Sequence, residues 1–71
     1  MATIGHNIEE RRVGLDMTQA QLAEALPVRD GRTVTQPLVS EWESGEKCPS
    51  VGRVNDLCEA LHCTPNDLMD M

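Results

Sequence analysis

The apolar residues of this chain recur at helical spacing. Leu22, Ala25 and Leu26 share one face of a short segment, Val39 and Trp42 one face of the next, and Val51, Val54, Leu57, Cys58 and Leu61 a longer stripe beyond it. Each segment carries its own boundaries. Thr18 stands as N-cap with Gln21 three residues on, which completes a capping box, and Met17 just outside is placed to pack on Leu22. Pro27 has no N–H to continue that helix, so it ends near Leu26. Thr35 caps the next helix, Pro37 lies in its first turn where a missing N–H costs little, and Gly45 stops it. Ser50 caps a further helix, and His62 ends it where a glycine or asparagine usually stands. Thr64, Pro65 and Asp67 open a short fifth helix, followed by Leu68, Met69 and Met71 as an apolar tail.

Two stretches are less regular. Residues 4–13 read as a first helix with Ile4, Ile8 and either Arg11 or Arg12 on its inner side, and Gly14 is a candidate stop. Residues 27–34 place Asp30-Gly31 between short β-compatible pairs, a two-residue hairpin signal. A small exposed hairpin or a tight loop is expected there.

Met17-Thr18-Gln19, Leu22-Ala23, Val34-Thr35-Gln36, Val39-Ser40, Trp42-Glu43 and Gly45 come in this order. Pro49-Ser50 and a helix ending Leu57-Cys58-Glu59-Ala60-Leu61 follow. The string resembles the phage-repressor and Cro (XRE-like) type of helix-turn-helix domain over residues 4–69. The resemblance implies an all-α fold, a compact five-helix lambda-repressor-like domain, with the helix at about 35–44 as recognition helix. The chain departs from the pattern in two places. Residues 27–33 fill a gap that the family usually closes with a glycine. Arg11 and Asp16 stand where the family has an aliphatic residue and the helix-ending glycine.

The same resemblance implies a site. Gln36, Pro37, Ser40 and Glu41 fall on the groove side, with Val39 and Trp42 inside. Gln36 can bond adenine, Pro37 can touch a thymine methyl, and Glu41 either accepts from cytosine or is a solvated charge. Gln19 corresponds to the family glutamine that bonds a backbone phosphate, and Thr35, Ser44 and Lys47 are further backbone candidates. The inserted segment has two readings. In one it is a miniature wing that carries Arg29 and Arg32 to DNA backbone or minor groove; in the other it is a surface loop, tolerated because loop length costs little entropy. A domain this small makes few base contacts, so a homodimer on a pseudo-palindromic operator is expected, with Leu68, Met69 and Met71 at the dimer interface.

Composition changes this picture at three points. Seventy-one residues make a single domain, 1–71, near the lower size for independent folding, and Trp42 is its only aromatic residue. A lone tryptophan at this spacing belongs to the core rather than to a stacking platform. No apolar run approaches the roughly 20 residues of a membrane span and no signal-peptide core is present, so a cytoplasmic protein is expected.

The second point is the net charge of −6, which opposes phosphate binding. Arg29, Arg32, Lys47 and Arg53 nevertheless cluster around the recognition helix, while Glu9, Glu10, Glu24, Glu59, Asp67 and Asp70 lie elsewhere.

The third is the cysteines. Cys48, Cys58 and Cys63 with His62 contain no CxxC pair, which speaks for reduced thiols over a metal site. There is no Gly-rich phosphate loop or nucleophile elbow, hence neither enzyme nor cofactor nor small-molecule ligand is expected. The sequence reading is therefore a transcriptional regulator of phage or mobile-element repressor type that binds duplex DNA. The alternative, motivated by the charge, is a protein-interaction module such as an antirepressor or DNA mimic.

Overall fold

The computed structural model describes residues 4–69, with side chains up to Leu68. Five helices follow one another: α1 (Ile4–Gly14), α2 (Gln19–Ala25), α3 (Gln36–Ser44), α4 (Val51–Leu61) and α5 (Pro65–Met69). Among the described residues the only bridge of β type joins Arg29 to Arg32.

Local chemistry explains most boundaries. The Thr18 hydroxyl accepts from the Gln21 N–H at 3.1 Å, while Gln21 Oε1 accepts from the Thr18 N–H at 2.8 Å. The Ser50 hydroxyl likewise accepts from the Arg53 N–H. Thr35 differs from expectation. It holds the cap position, φ −112° and ψ 164°, but its side chain makes no capping bond, and only its carbonyl accepts from Leu38 and Val39. Gly45 ends α3 at φ 87°, a left-handed conformation that costs glycine little. Asp16 at φ 57° takes the same role after α1, in the place of the family glycine, so Gly14 is the last helical residue and not the turn itself.

The helices enclose one core, with Ile8, Leu22, Val39, Leu57, Leu61 and Leu68 fully buried and Trp42 among them. Three sequence expectations change here. Ala25 is exposed and Ala23 is the buried alanine of α2. Val51 is 79% exposed, and Arg53 and Asp56 are buried instead. Leu68, expected at a dimer surface, lies inside its own chain, where the Asn7 side-chain amide donates to its carbonyl at 2.7 Å and ties α5 to α1. Met71 and the side chain of Met69 lie outside the described residues.

The inner face of α1 consists of Gly5, Asn7 and Ile8, with Ile4 partly buried beside them. Gly5 sets how closely α1 can approach the end of α3. A Cβ at that position would stand 2.1 Å from the Trp42 carbonyl oxygen and 2.9 Å from that of Glu43, both backbone atoms. Only a hydrogen fits.

Residues 27–34 form the hairpin that Asp30-Gly31 predicts. Both tip residues have positive φ, 52° and 74°, as a type I′ turn requires, and Arg29 and Arg32 exchange backbone bonds of 3.1 and 2.8 Å. The hairpin does not stand free. Arg29 grips Asp56 of α4 with two bonds, Nε to Oδ2 at 2.6 Å and Nη2 to Oδ1 at 2.7 Å. Arg53 reaches the other way from α4 and donates to the carbonyls of Pro27 at 2.5 Å and Arg32 at 3.0 Å. The wing reading carries Arg29 toward DNA, and the loop reading does not; Arg29 turns back onto α4, where the buried Asp56 carboxylate receives it. Its guanidinium holds the Asp56 carboxyl below the usual range against the opposing effect of burial.

Two predictions follow from this packing. Gly5→Ala forces α1 off α3 and should cost at least about 2 kcal/mol. Gly14→Ala meets nothing within 4 Å and should be neutral or stabilising by up to about 1 kcal/mol; urea midpoints of the two variants check the pair. The second concerns Asp56, whose folded-state pKa is depressed. Its contribution is therefore present above the unfolded value of about 3.9 and lost as pH falls through the folded value. The stability gap between wild type and Asp56→Asn should be open at neutral pH and close below about pH 4, as read by urea unfolding across pH. A gap independent of pH would remove the ion pair from the account.

Candidate nucleic-acid interface

The outer face of α3 is built by subtraction. Val39 and Trp42 are drawn into the core, which leaves Gln36, Pro37 and Ser40 exposed at and near its N-terminus and Glu41 partly exposed on the flank. Pro37 fixes backbone geometry in the first turn without sacrificing a donor that the helix needs. Ser44, at the far end, donates its hydroxyl to the Glu41 carbonyl at 3.1 Å. Lys47, in the loop that follows, sends its N–H to the same carbonyl and its ammonium to the Glu41 carboxylate at 3.3 Å. Glu41 and Lys47 are thus coupled and exposed together. Thr35 is exposed with its hydroxyl free of the helix.

Orientation of this face is set from behind by Glu43. Its side chain is 3% exposed and receives Arg12 of α1 through two bonds, Nε to Oε2 at 2.6 Å and Nη2 to Oε1 at 3.1 Å. Gln19, at the start of α2, donates its Nε2 to Glu43 Oε1 at 2.9 Å. Arg12 also donates Nη1 to the Met17 carbonyl at 2.8 Å, next to the α2 cap. The carboxylate raises the Arg12 pKa further above its ordinary value, chiefly through its side-chain hydrogen bond, against the opposing effect of burial. Gln19 therefore links the start of α2 to the end of α3, while its second amide N–H and its carbonyl remain for other partners.

The sequence reading placed Arg12 as one of two candidates for the inner side and did not identify Glu43, Asn7, Arg53 or Asp56 as structural groups. A charged pair separated by thirty-one positions has no local signature. The one available signal was Glu43 following Trp42 on the inner edge of α3.

The cations can be counted completely, since all six lie among the described residues. Arg11 pairs with Asp67 at 3.5 Å, Arg12 with Glu43, Arg29 and Arg53 with Asp56, and Lys47 with Glu41. Arg32 alone has no carboxylate partner among the described residues. A cleft opens beside it, lined by Thr33 and Arg29 of the hairpin, Leu38 and Trp42 of α3, the cap residue Ser50, and Arg53 of α4.

Cys58 and Cys63 lie together and Cys48 stands apart from them. Cys48 is exposed in the loop after α3, Cys58 is buried in α4 and Cys63 is half-buried beyond it. Burial pushes the Cys58 thiol up to about 11, with Cys63 as a smaller cause, so it sits in the core as a protonated small apolar group.

Comparison with known proteins agrees with this architecture. The sequence pattern of the helix-turn-helix family matches residues 8–68. The HTH-type transcriptional regulator DicA of Escherichia coli (strain K12) is 36% identical over 63 residues, which is 89% of this chain and 42% of DicA. This chain thus spans less than half the length of that relative. The crystal structure of the P22 c2 repressor protein in complex with synthetic operator 9T in the presence of Tl+ superposes with a TM-score of 0.84 at 29% identity. That match covers 97% of this chain and 96% of the other. With its capped α2, its buried Glu43 and its polar-faced α3 in this arrangement, the chain belongs to the helix-turn-helix family, of the XRE and phage-repressor type.

Proposed function

We propose that this chain is a transcriptional regulator of repressor type that binds duplex DNA sequence-specifically, with α3 in the major groove. The observation that carries the reading is the outer face of α3. Gln36, Pro37 and Ser40 are exposed together at its leading end, on a helix whose orientation is fixed by the buried Arg12–Glu43 pair. That is the arrangement a base-reading helix needs, since its side chains must meet base edges without reorganising. The likeness to a repressor solved with a synthetic operator, and to a transcriptional regulator, supports the same reading.

In this proposal Gln36 bonds an adenine edge, Pro37 packs on a thymine methyl, Ser40 takes a base or phosphate, and Glu41 accepts from cytosine. Gln19, Thr35, Ser44 and Lys47 contact phosphates on the two flanks. Lys47 does so with its charge partly balanced by Glu41. The protein works as a homodimer on a two-fold operator, with recognition helices about 34 Å apart. Leu68, being interior, takes no part, and the α5 end with Met69 and Met71 remains the proposed contact. No catalysis and no cofactor belong to this reading. A cytoplasmic setting belongs to the same proposal. Among the described residues no helix is long and apolar enough to cross a membrane.

A second reading, a protein-interaction module, is favoured by one observation: a net charge of −6 with five of six cations already paired. Binding to random duplex DNA across a salt series separates the two. A DNA-binding domain loses affinity steeply and log-linearly as salt rises; absence of duplex binding at low salt would leave the interaction module standing. For the operator complex, Gln36→Ala should relax sequence preference by about 1–3 kcal/mol per half-site, whereas Gln19→Ala should weaken all sequences alike. A competition assay in which Gln36→Ala kept full specificity would sink the docking.

A further inference from the structure

We infer that the hairpin between α2 and α3 is an accessory phosphate-binding arm of the DNA interface, in which Arg32 makes the contact and Arg29 and Arg53 are positioning residues. This inference rests on the DNA-binding reading.

The first support is the division of labour among the arginines. Arg29 and Arg53 spend their guanidinium groups on Asp56 and on the carbonyls of Pro27 and Arg32, which fastens both strands of the hairpin to α4. Arg32 has its N–H on the Arg29 carbonyl at 2.8 Å and its own carbonyl under Arg53, so its backbone is pinned on both sides. Its side chain is exposed and unpaired among the described residues. A cation on a pinned backbone loses less freedom on binding than one on a loose loop.

The second support is local charge. Arg29, Arg32 and Arg53 line the cleft between the hairpin and α4, with Asp30 at its rim and Asp56 beneath. Asp56 takes both Arg29 and Arg53, and Glu59 also acts on Arg29, so Arg32 is the one cation of the cleft without a carboxylate partner among the described residues. The Thr33 and Ser50 residues lie on the same cleft, and Leu38 brings it against α3. A phosphate on the DNA strand flanking α3 is the anion that this position meets once α3 is in the groove.

The third support is the Asp30-Gly31 tip. Its two-residue turn keeps the arm short and fixes the register that brings Arg29 opposite Arg32, which puts both side chains on one face of the hairpin, Arg29 closed on Asp56 and Arg32 without a carboxylate partner among the described residues.

The test uses the full chain and a labelled random-sequence duplex, with affinity measured by fluorescence anisotropy over a series of salt concentrations. Arg32→Ala should lower affinity and flatten the log-affinity against log-salt slope by about 0.9 per protomer, the share of one phosphate. Arg32→Lys should restore most of the slope, since the charge is kept. Asp30→Asn, which keeps a residue type that tolerates positive φ, should raise affinity by removing the carboxylate at the rim. Thermal melts of Arg32→Ala should match wild type, because the side chain supports nothing inside the protein. If wild type binds the duplex and Arg32→Ala shows the same affinity and slope, the arm does not touch DNA and this inference falls alone. If wild type fails to bind any duplex at low salt, the DNA-binding reading falls and takes the arm with it.

Discussion

The geometry of the domain depends on one buried carboxylate. Glu43 receives Arg12 from α1 and Gln19 from α2, and Arg12 reaches on to the Met17 carbonyl, so three helices and the turn between two of them meet at one side chain. A buried ion pair is a weak source of net stability, because desolvation offsets most of the attraction. What it does strongly is penalise alternatives. Any sliding of α1 along α3 leaves a charge buried without its partner, at a cost of about 3–5 kcal/mol, a large part of the stability of a domain this size. Gly5 restricts the same contact sterically, since its backbone lies against the Trp42 and Glu43 carbonyls. The pair fixes rotation, the glycine fixes distance, and the outer face of α3 inherits both.

A second carboxylate repeats the device on the other side of α3. Asp56 of α4 holds Arg29 and Arg53, and through them the connection from α2 to α3. An added segment at this point would ordinarily loosen the placement of α3 relative to α2. Here the segment is bound to a third helix, and the Arg29 side chain lies across α4 beside Gly52 on its way to Asp56. The loop is therefore extra chain without extra freedom. The two networks explain why a protein with almost no aromatic residues still holds a defined shape: polar pairs supply the orientation that interlocking aromatic rings would otherwise give.

How far the fold was legible follows from the same contrast. The α2 capping box, the Pro37 start, the Gly45 stop and the Asp30-Gly31 turn were readable because each is a local bargain between neighbouring residues and the backbone. α1 was the faintest helix because its inner face is a glycine, an asparagine and an isoleucine, with Arg12 on the flank, so no apolar stripe exists to be counted. On α4 the apolar rule put Val51 inside and missed Arg53 and Asp56, since periodicity assigns charge to solvent and cannot see a hairpin that comes to cover it. The exposed residues of α3, Gln36, Pro37 and Ser40, were legible as a group, because Val39 and Trp42 specify the inner face and leave the rest outside. Arg29 was not, because its direction depends on a carboxylate twenty-seven positions away.

Net charge is a poor guide to this surface for a related reason. Charges separated by more than the Debye length, about 8–10 Å near physiological salt, are largely screened from each other, while the described part of the protein alone extends 33 Å along its longest axis. Glu9 and Glu10 on α1 and Glu59 on α4 contribute to the total of −6 without standing on the exposed face of α3. Conversely, all five cations other than Arg32 already meet a carboxylate, and three of them, Arg12, Arg29 and Arg53, serve the interior geometry. The relevant quantity is therefore the charge that remains unpaired beside α3. On that measure the acidic composition is compatible with the DNA-binding reading proposed above, which forgoes the long-range attraction that speeds association in strongly basic domains.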